Sequence, residues 1–218
     1  MQIFVGETRD TAYKEELKKW NWGRMWTDGT PKLFDGEIWG FDNGAYGCFV
    51  RGRAFDDNLF KRRLDRAFNV GIPHLAVCPD IVAGGKKSLE FSLSWLPRLP
   101  RDWPWYIAVQ DGMEMADVLS CLTMFDGLFL GGTNRFKYKA SGWVATAREA
   151  GIPVHYGRCG TEKKINHARR LGVDSLDSSF PLWTRGRWRY FVDLITEGSP
   201  QQDLFDSSKP QKKGLTFR

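Results

Sequence analysis

One pattern recurs along the chain: a short apolar segment ends in a polar residue and is followed by an amphipathic stretch. In residues 74–80, HLAVCPD, a nearly continuous apolar segment ends in Asp80, and residues 86–95 are predicted to form its return helix. Strands that alternate with helices run parallel and are joined by right-handed crossovers. The pattern predicts seven strands, over residues 2–6, 37–42, 74–80, 106–110, 127–130, 154–157 and 173–179.

Two parallel architectures compete, a TIM-type (β/α)8-like barrel and a doubly wound open sheet. Seven strands are close to the eight of a barrel, although the 218 residues are fewer than the ~250 typical of that fold. An open sheet usually has a Gly-rich first turn, whereas the turn VGETRDTA lacks G-x-G-x-x-G. We therefore favour a compact barrel over residues 1–196. Its site is expected where polar residues end the strands, at Asp42, Asp80, Gln110, Asp111, Thr133, Arg158 and Asp177.

Two stretches fall outside the pattern. Residues 21–35 mix Gly, Pro, Asp and aromatic residues, so a long loop is predicted there and the eighth strand stays unidentified. Residues 197–218 are polar and poor in core residues, which predicts a flexible tail. Within the tail, Gln201, Leu204 and Phe205 form a Q-x-x-L-F sequence that resembles the peptide with which bacterial replication proteins bind the sliding clamp. The clamp is therefore a candidate partner.

Charge and cysteine content limit the classes of function. The net charge of +6 favours a polyanionic partner, of which nucleic acid is the natural candidate. The four cysteines lie far apart without a C-x-x-C pair, which argues against a zinc knuckle and against a disulfide scaffold. No run approaches the ~20 apolar residues of a membrane span. We expect a cytoplasmic protein that does not associate with membranes.

Three acids end predicted strands: Asp42, Asp80 and Asp177. Carboxylates within a few ångström of one another move each other's pKa values apart, which allows one to stay ionised while another carries a proton. The set is therefore suited to a nucleophile, a proton shuttle and a group that accepts hydrogen bonds from a ligand. A metal site is the alternative for the same acids. We expect no metal and no cofactor, because no common ligand spacing joins His74, His155 and His167.

The order of short motifs resembles a known enzyme family. The segments are DNGAYG (42–47), PDIVAGG (79–85), VQDG (109–112), GLFLGG (127–132), VHYGRCGT (154–161) and GVDSLDSS (172–179). Together they resemble the queuine and archaeosine type tRNA-guanine transglycosylases, which are TIM barrels, over residues 37–180. The family's zinc subdomain has no counterpart here. The chain is therefore most similar to the small DpdA-type enzymes of phages and bacteria, which exchange guanine in DNA for a 7-deazaguanine such as preQ0.

The resemblance implies catalytic roles for two acids. Asp177 would be the nucleophile that attacks C1′ of the sugar and expels guanine, leaving a covalent glycosyl-enzyme intermediate. Asp42 would be the general acid/base that handles the proton of the incoming base. Tyr46 would stack on the base, a role that suits its flat ring.

The same resemblance implies a binding site for the base. Asp80 would accept hydrogen bonds from N1 and N2 of guanine, and Gln110 would contact O6. Gly131 and Gly132 would let backbone N–H groups approach the base closely, because neither carries a Cβ. The family has glycine where this chain has Asp111, and the sequence assigns no role to that acid.

Basic residues follow several predicted strands and alternate with aromatic residues. On an enzyme of this kind they would contact phosphates around the flipped nucleotide, which makes DNA the expected partner and tRNA the second choice. A solvated basic face without such a role is the alternative, as is a nucleic-acid-binding accessory subunit without catalytic activity. The predicted contacts are Lys137, Lys139, Arg158, Arg185 and Arg187.

Overall fold

The computed structural model describes residues 1–8, 10–27 and 31–196, and these form a closed barrel of eight parallel strands. Each strand pairs with the next in chain order, and β8 closes the barrel by pairing with β1. The predicted α/β barrel is confirmed. Its strands are β1 (Gln2–Gly6), β2 (Gly23–Trp26), β3 (Trp39–Phe41), β4 (Leu75–Val77), β5 (Trp105–Val109), β6 (Gly127–Leu130), β7 (Val154–Tyr156) and β8 (Ser175–Ser178).

Helices surround the barrel and follow the strands. They are α1 (Thr11–Trp20), α2 (Ala45–Val50), α3 (Asp57–Phe68), α4 (Lys86–Trp95), α5 (Met115–Leu119), α6 (Asn134–Lys137), α7 (Ser141–Glu149), α8 (Glu162–Leu171) and α9 (Arg185–Thr196). Local chemistry sets their ends. The Thr161 side chain accepts from the N–H of Lys164 to begin α8, and Gly172 ends it in the left-handed conformation.

The eighth strand, β2, lies inside the stretch that the sequence predicts as a long loop, so that prediction is wrong over Gly23–Trp26. All four residues of β2 are buried, including the charged Arg24. Arg24 forms a two-pronged ion pair with Glu37 and donates to the carbonyl oxygens of Thr8 and Lys32. A buried arginine with this many acceptors is tolerated because its charge and its donors are satisfied.

Apolar side chains fill the interior of the barrel. Inward-facing glycines leave room for the larger side chains. A Cβ on Gly127 would collide with the ring of Tyr106, and one on Gly157 would collide with the ring of Phe129. The interior cluster consists of Phe4, Met25, Leu75, Val77, Tyr106, Ala108 and Phe129. Because these residues occupy the barrel's middle, a ligand can enter only at the ends of the strands.

The outward faces of the strands pack against the helices in a larger apolar cluster rich in tryptophan. Trp103 and Phe41, for example, meet edge to face with ring centres 5.3 Å apart. None of the helices in the described ranges is long and apolar enough to cross a membrane. The predicted tail, with Gln201, Leu204 and Phe205, lies outside the described residues.

Candidate active site

A cavity of about 380 Å³ opens at the carboxyl ends of the strands, the end at which barrel enzymes place their active sites. It contains most of the side chains that the sequence singles out. Its wall includes Asp42, Asn43, Tyr46, Asp80, Gln110, Asp111, Phe129, Gly131, Gly132, Thr133, Lys137, Arg158 and Lys164. Asp177 lies beside this wall, where it is close enough to Asp42 for the two charges to interact.

Asp42 follows β3 and begins the turn into α2. Its Oδ1 accepts a 2.6 Å hydrogen bond from the N–H of Gly44, which adopts a left-handed conformation at φ 76°. Burial raises the pKa of Asp42 to about 6; the Gly44 N–H opposes this and the charge of Asp177 adds to it. Asp42 therefore exchanges a proton near neutral pH. Tyr46, on α2, keeps 40% of its surface exposed at the mouth of the cavity.

Asp80 lies in the wall between β4 and α4. Asn43 donates to its Oδ1 at 2.8 Å, and Gln110 donates to its Oδ2 at 3.2 Å. Burial raises the pKa of Asp80 to about 7, although the two amide donors oppose the shift. Asp80 is thus a carboxyl group poised between its neutral and charged forms.

Gln110 is almost fully buried and its amide is engaged by the protein. Its nitrogen also donates to the Ile81 carbonyl at 2.9 Å and to Ser88 Oγ at 2.8 Å, while its oxygen accepts from the N–H of Ala83. Here Gln110 fixes the turn that carries Asp80. Its predicted contact with O6 of a base would require the release of one of these partners, and that contact remains a prediction.

Asp111 has a structural role that the sequence did not reveal. Its two carboxylate oxygens accept from the N–H and the hydroxyl of Thr133, both at 2.7 Å. Burial alone raises the pKa of Asp111, but the bonds from Thr133 outweigh it and hold the pKa below its ordinary value. Gly132, at φ 72°, completes the turn, and a Cβ there would lie 2.6 Å from the Asp111 carboxylate. Asp111 therefore anchors the turn that leads into α6.

Asp177 points inward from β8, and its side chain is 16% exposed. Its Oδ1 accepts from the backbone N–H of Arg158 at 2.8 Å and lies 3.0 Å from Nε2 of His155. Burial raises the pKa of Asp177, but the contact with His155 and the N–H of Arg158 outweigh it, so the pKa is lower than usual. Asp177 therefore stays ionised at neutral pH, whereas its two neighbours titrate near neutral pH.

His155 is the site residue that sequence reasoning missed as a functional group. It is fully buried in β7, and its Nδ1 lies 2.8 Å from Oγ of Ser175. The series Asp177, His155, Ser175 contains the residue types of a hydrolase triad. Ser175 is only 3% exposed and its Oγ is engaged by His155, so its hydroxyl is not accessible to a bound substrate. The alternation of inward-facing residues along β7 was the signal that could have found His155.

The predicted phosphate contacts differ in location. Lys137 is 3% exposed and donates to the Gly157 carbonyl at 2.5 Å, so it lies in the cavity wall instead of on an outer rim. Arg158 also lines the cavity, with its Cζ 3.1 Å from the centre of the Tyr46 ring. Lys139, Arg185 and Arg187 are exposed and outside the cavity wall; Arg187 packs on the rings of Phe180 and Trp183.

No group of three or more His, Cys, Asp or Glu residues in the described part of the chain is arranged to hold a metal ion. Known protein families and curated proteins give no match to this sequence. The fold is that of a TIM-like barrel, which serves many enzymes with different chemistries. Any assignment of activity therefore depends on the geometry of this cavity.

Proposed function

We propose that the protein is a transglycosylase that exchanges guanine in DNA for a 7-deazaguanine base of the preQ0 type. The observation that carries the proposal is that three carboxyl groups in or beside one cavity, Asp80 buried and Asp42 and Asp177 partly buried, differ in their ionisation. Asp177 is held ionised, while burial raises the pKa of Asp42 to about 6 and that of Asp80 to about 7. A double displacement at a sugar carbon needs such a set: a charged nucleophile, a proton carrier and a neutral or ionic partner for the base.

The first half-reaction breaks the bond between the sugar and guanine. An oxygen of Asp177 attacks C1′, the C1′–N9 bond breaks, and its electron pair leaves with the base. Asp42 in its protonated form supplies the proton that guanine takes up. Within residues 1–8, 10–27 and 31–196, the hydrogen bonds to the Asp177 carboxylate go to Oδ1, which leaves Oδ2 as the attacking atom.

The second half-reaction runs the same steps in reverse with a different base. N9 of the incoming 7-deazaguanine attacks C1′ and its proton passes to Asp42, while the bond between C1′ and the Asp177 oxygen breaks and leaves Asp177 as a carboxylate. A group that first donates and then accepts a proton works best when its pKa is near the working pH. The value of about 6 for Asp42 meets that requirement.

Base recognition is assigned to the side of the cavity that holds Asp80. An ionised Asp80 accepts from the N1–H and N2–H donors that guanine and 7-deazaguanines share, and Tyr46 offers an aromatic surface at the mouth. The nearby donors from Asn43 and Gln110 keep the Asp80 carboxylate in one orientation. The net charge of +6 favours a polyanionic substrate.

Mass spectrometry of nucleosides tests the proposal. We expect DNA from cells that express the protein with a supply of preQ0 to contain the deazaguanine nucleoside, and DNA from cells that express Asp177→Asn to lack it. A modified nucleoside found in tRNA but not in DNA would identify RNA as the substrate. Binding to nucleic acid that weakens with salt, without exchange in either polymer, would identify a non-catalytic accessory protein instead.

A further inference from the structure

The peptide group between Gly157 and Arg158 lies between a buried cation and the proposed nucleophile. Its oxygen accepts a 2.5 Å hydrogen bond from Nζ of Lys137, and its N–H donates a 2.8 Å hydrogen bond to Oδ1 of Asp177. Both contacts involve one rigid planar unit, because the C=O of residue 157 and the N–H of residue 158 belong to the same amide. Lys137 and Asp177 are thereby connected through a single polarisable group.

The surroundings hold this peptide in one orientation. Gly157 has no space for a Cβ, because the ring of Phe129 occupies it. Arg158 adopts φ 59°, a left-handed conformation that is uncommon for a residue with a side chain. Such a conformation persists only where the neighbouring contacts determine it, and it is characteristic of functional sites.

Lys137 is itself fixed by contacts at both of its backbone groups. Its N–H donates to the Thr133 carbonyl at 3.0 Å, and its carbonyl oxygen lies 3.0 Å from Nε2 of His167. Thr133 is in turn bound by Asp111. The backbone that carries Lys137 is therefore anchored, and this holds the ammonium group against the Gly157 carbonyl.

We propose that Lys137 is a positioning residue for Asp177 and acts on it through the Gly157–Arg158 peptide. The ammonium group draws electron density towards the peptide oxygen, which makes the N–H of Arg158 a stronger donor to the carboxylate. It also keeps the peptide from turning its oxygen towards Asp177. The catalytic meaning of this link rests on the proposed function, whereas the link itself does not.

The ionisation of Lys137 is compatible with this role. Burial lowers the pKa of Lys137 to about 8, although the nearby charge of Asp177 opposes the shift, so the amine is mostly protonated at neutral pH. Among the described residues, the side chain within hydrogen-bond distance of the Asp177 carboxylate is His155. The hydrogen-bonded route from Lys137 to Asp177 therefore runs through the peptide, and the charge of Lys137 also lowers the pKa of Asp177 directly.

Lys164 provides a matched control. It lines the same cavity and carries the same charge, but its side chain makes no hydrogen bond to the Gly157–Arg158 peptide among the described contacts. Replacing either lysine by methionine removes one positive charge and keeps a similar volume. A difference between the two variants in the chemical shift of the Arg158 amide proton then reports the link through the peptide, whereas the pKa of Asp177 also responds to the direct charge of Lys137.

The experiment is NMR on the full chain with 13C-labelled aspartate carboxyl groups and 15N-labelled backbone. Asp177→Asn assigns the Asp177 carboxyl signal. We expect Lys137→Met to raise the pKa of Asp177 by about one unit, in the range that a lost charge or hydrogen bond produces, and to move the Arg158 amide proton upfield. Lys164→Met should change the pKa of Asp177 by less than half as much and leave the Arg158 amide in place.

Equal movement of the Arg158 amide proton in the two variants, or no movement in Lys137→Met, would overturn the proposal. If Lys137→Met does not fold, Lys137→Gln retains an N–H donor for the Gly157 carbonyl without the charge, and we expect it to give a smaller rise in the Asp177 pKa. No rise in that folded variant would overturn the proposal equally. These readouts need no substrate, so a protein that shows the shifts but exchanges no base contradicts the proposed function alone.

Discussion

The two sides of the cavity shift the pKa of a carboxyl group in opposite directions. On the side formed after β3, β4 and β5, Asp42 is partly buried and Asp80 is buried, the described hydrogen bonds to them come from neutral amides, and their pKa values rise to about 6 and about 7. On the side that carries Arg158, the neighbouring Asp177 of β8 is also partly buried, but His155 and the lysine-bound peptide lower its pKa. At Asp42 and Asp80 the neighbouring donors do not compensate the loss of water around the carboxylate, whereas at Asp177 the imidazole and the donor polarised by a cation do.

The largest expected effect comes from exchanging the carboxylates for amides. Asp177→Asn removes the nucleophile and should reduce base exchange by about 10³-fold or more, because no covalent intermediate can form. Asp42→Asn removes only the proton carrier and should cost roughly 10²-fold. Exchange of labelled guanine into DNA measures both. Equal losses in the two variants would show that the two sides of the cavity do not divide the chemistry.

The same two substitutions should change stability in opposite directions. The pKa of Asp42 is higher in the folded than in the unfolded protein. Ionisation of this carboxyl therefore lowers the free energy of unfolding as pH rises from the unfolded-state pKa to about 6, and the loss is constant above that pH. Asp42→Asn should therefore stabilise the protein by on the order of 2–3 kcal/mol at about pH 8 and by almost nothing at about pH 4.

Ionised Asp177 contributes to stability with the opposite sign, because its pKa is lowered in the folded protein. Its contribution to stability is present above the unfolded pKa and is lost as pH falls through the folded pKa. Asp177→Asn should destabilise the protein by about 1 kcal/mol at about pH 8, with a smaller loss in acid. Urea unfolding of both variants at both pH values tests the two predictions. If both substitutions stabilise the protein at about pH 8, or both destabilise it, the contrast between Asp42 and Asp177 is wrong.

Smaller effects should separate binding from chemistry. Asn43→Ala removes a donor to Asp80 and should raise KM for the free base about 10-fold with little change in kcat. His155→Gln weakens the stabilisation of the Asp177 carboxylate and should instead lower kcat about 10-fold while KM changes little. Steady-state kinetics with saturating DNA distinguishes the two. A change of KM in both variants would mean that both sides of the cavity bind the base.

The smallest effect is expected at the turn that supports Lys137. Thr133→Val keeps the shape of the side chain but removes its hydroxyl, which caps α6 and binds Asp111. We expect a loss of about 1 kcal/mol in the free energy of unfolding, typical of a lost helix cap. Thermal unfolding measures it, with Thr184→Val as a control cap in front of α9. An unchanged stability would show that the turn is held by its backbone alone.

The sequence predicted the barrel because seven of its strands are apolar enough to be recognised locally. β2 was missed because burial of Arg24 depends on Glu37, a partner beyond the local pattern. α2 and α6, with six and four residues, are too short for helical periodicity to show. Non-local pairing and short elements account for the errors in the predicted fold.

The candidate site was predictable where polar residues end strands, and Asp42, Asp80 and Gln110 were found in that way. His155 was not, because its contact with Asp177 depends on the pairing of β7 with β8. The burial of Lys137 was equally hidden, since a lysine in a basic stretch has the same local appearance whether it faces water or a carbonyl group. Residue types could be predicted locally, but their environments required the closed barrel.

The contact of Arg158 with Tyr46 has a thermodynamic consequence. The guanidinium covers one face of the ring, so a planar ligand that uses this face must displace it and gains only the difference between the two stacking energies. A phosphate that attracts the displaced guanidinium would recover part of that loss. Binding of the base and binding of the polyanion then become linked, and linkage is reciprocal: each ligand strengthens the other by the same factor. A single arginine can thus make the free protein a poor receptor for free bases and a better one once nucleic acid is bound.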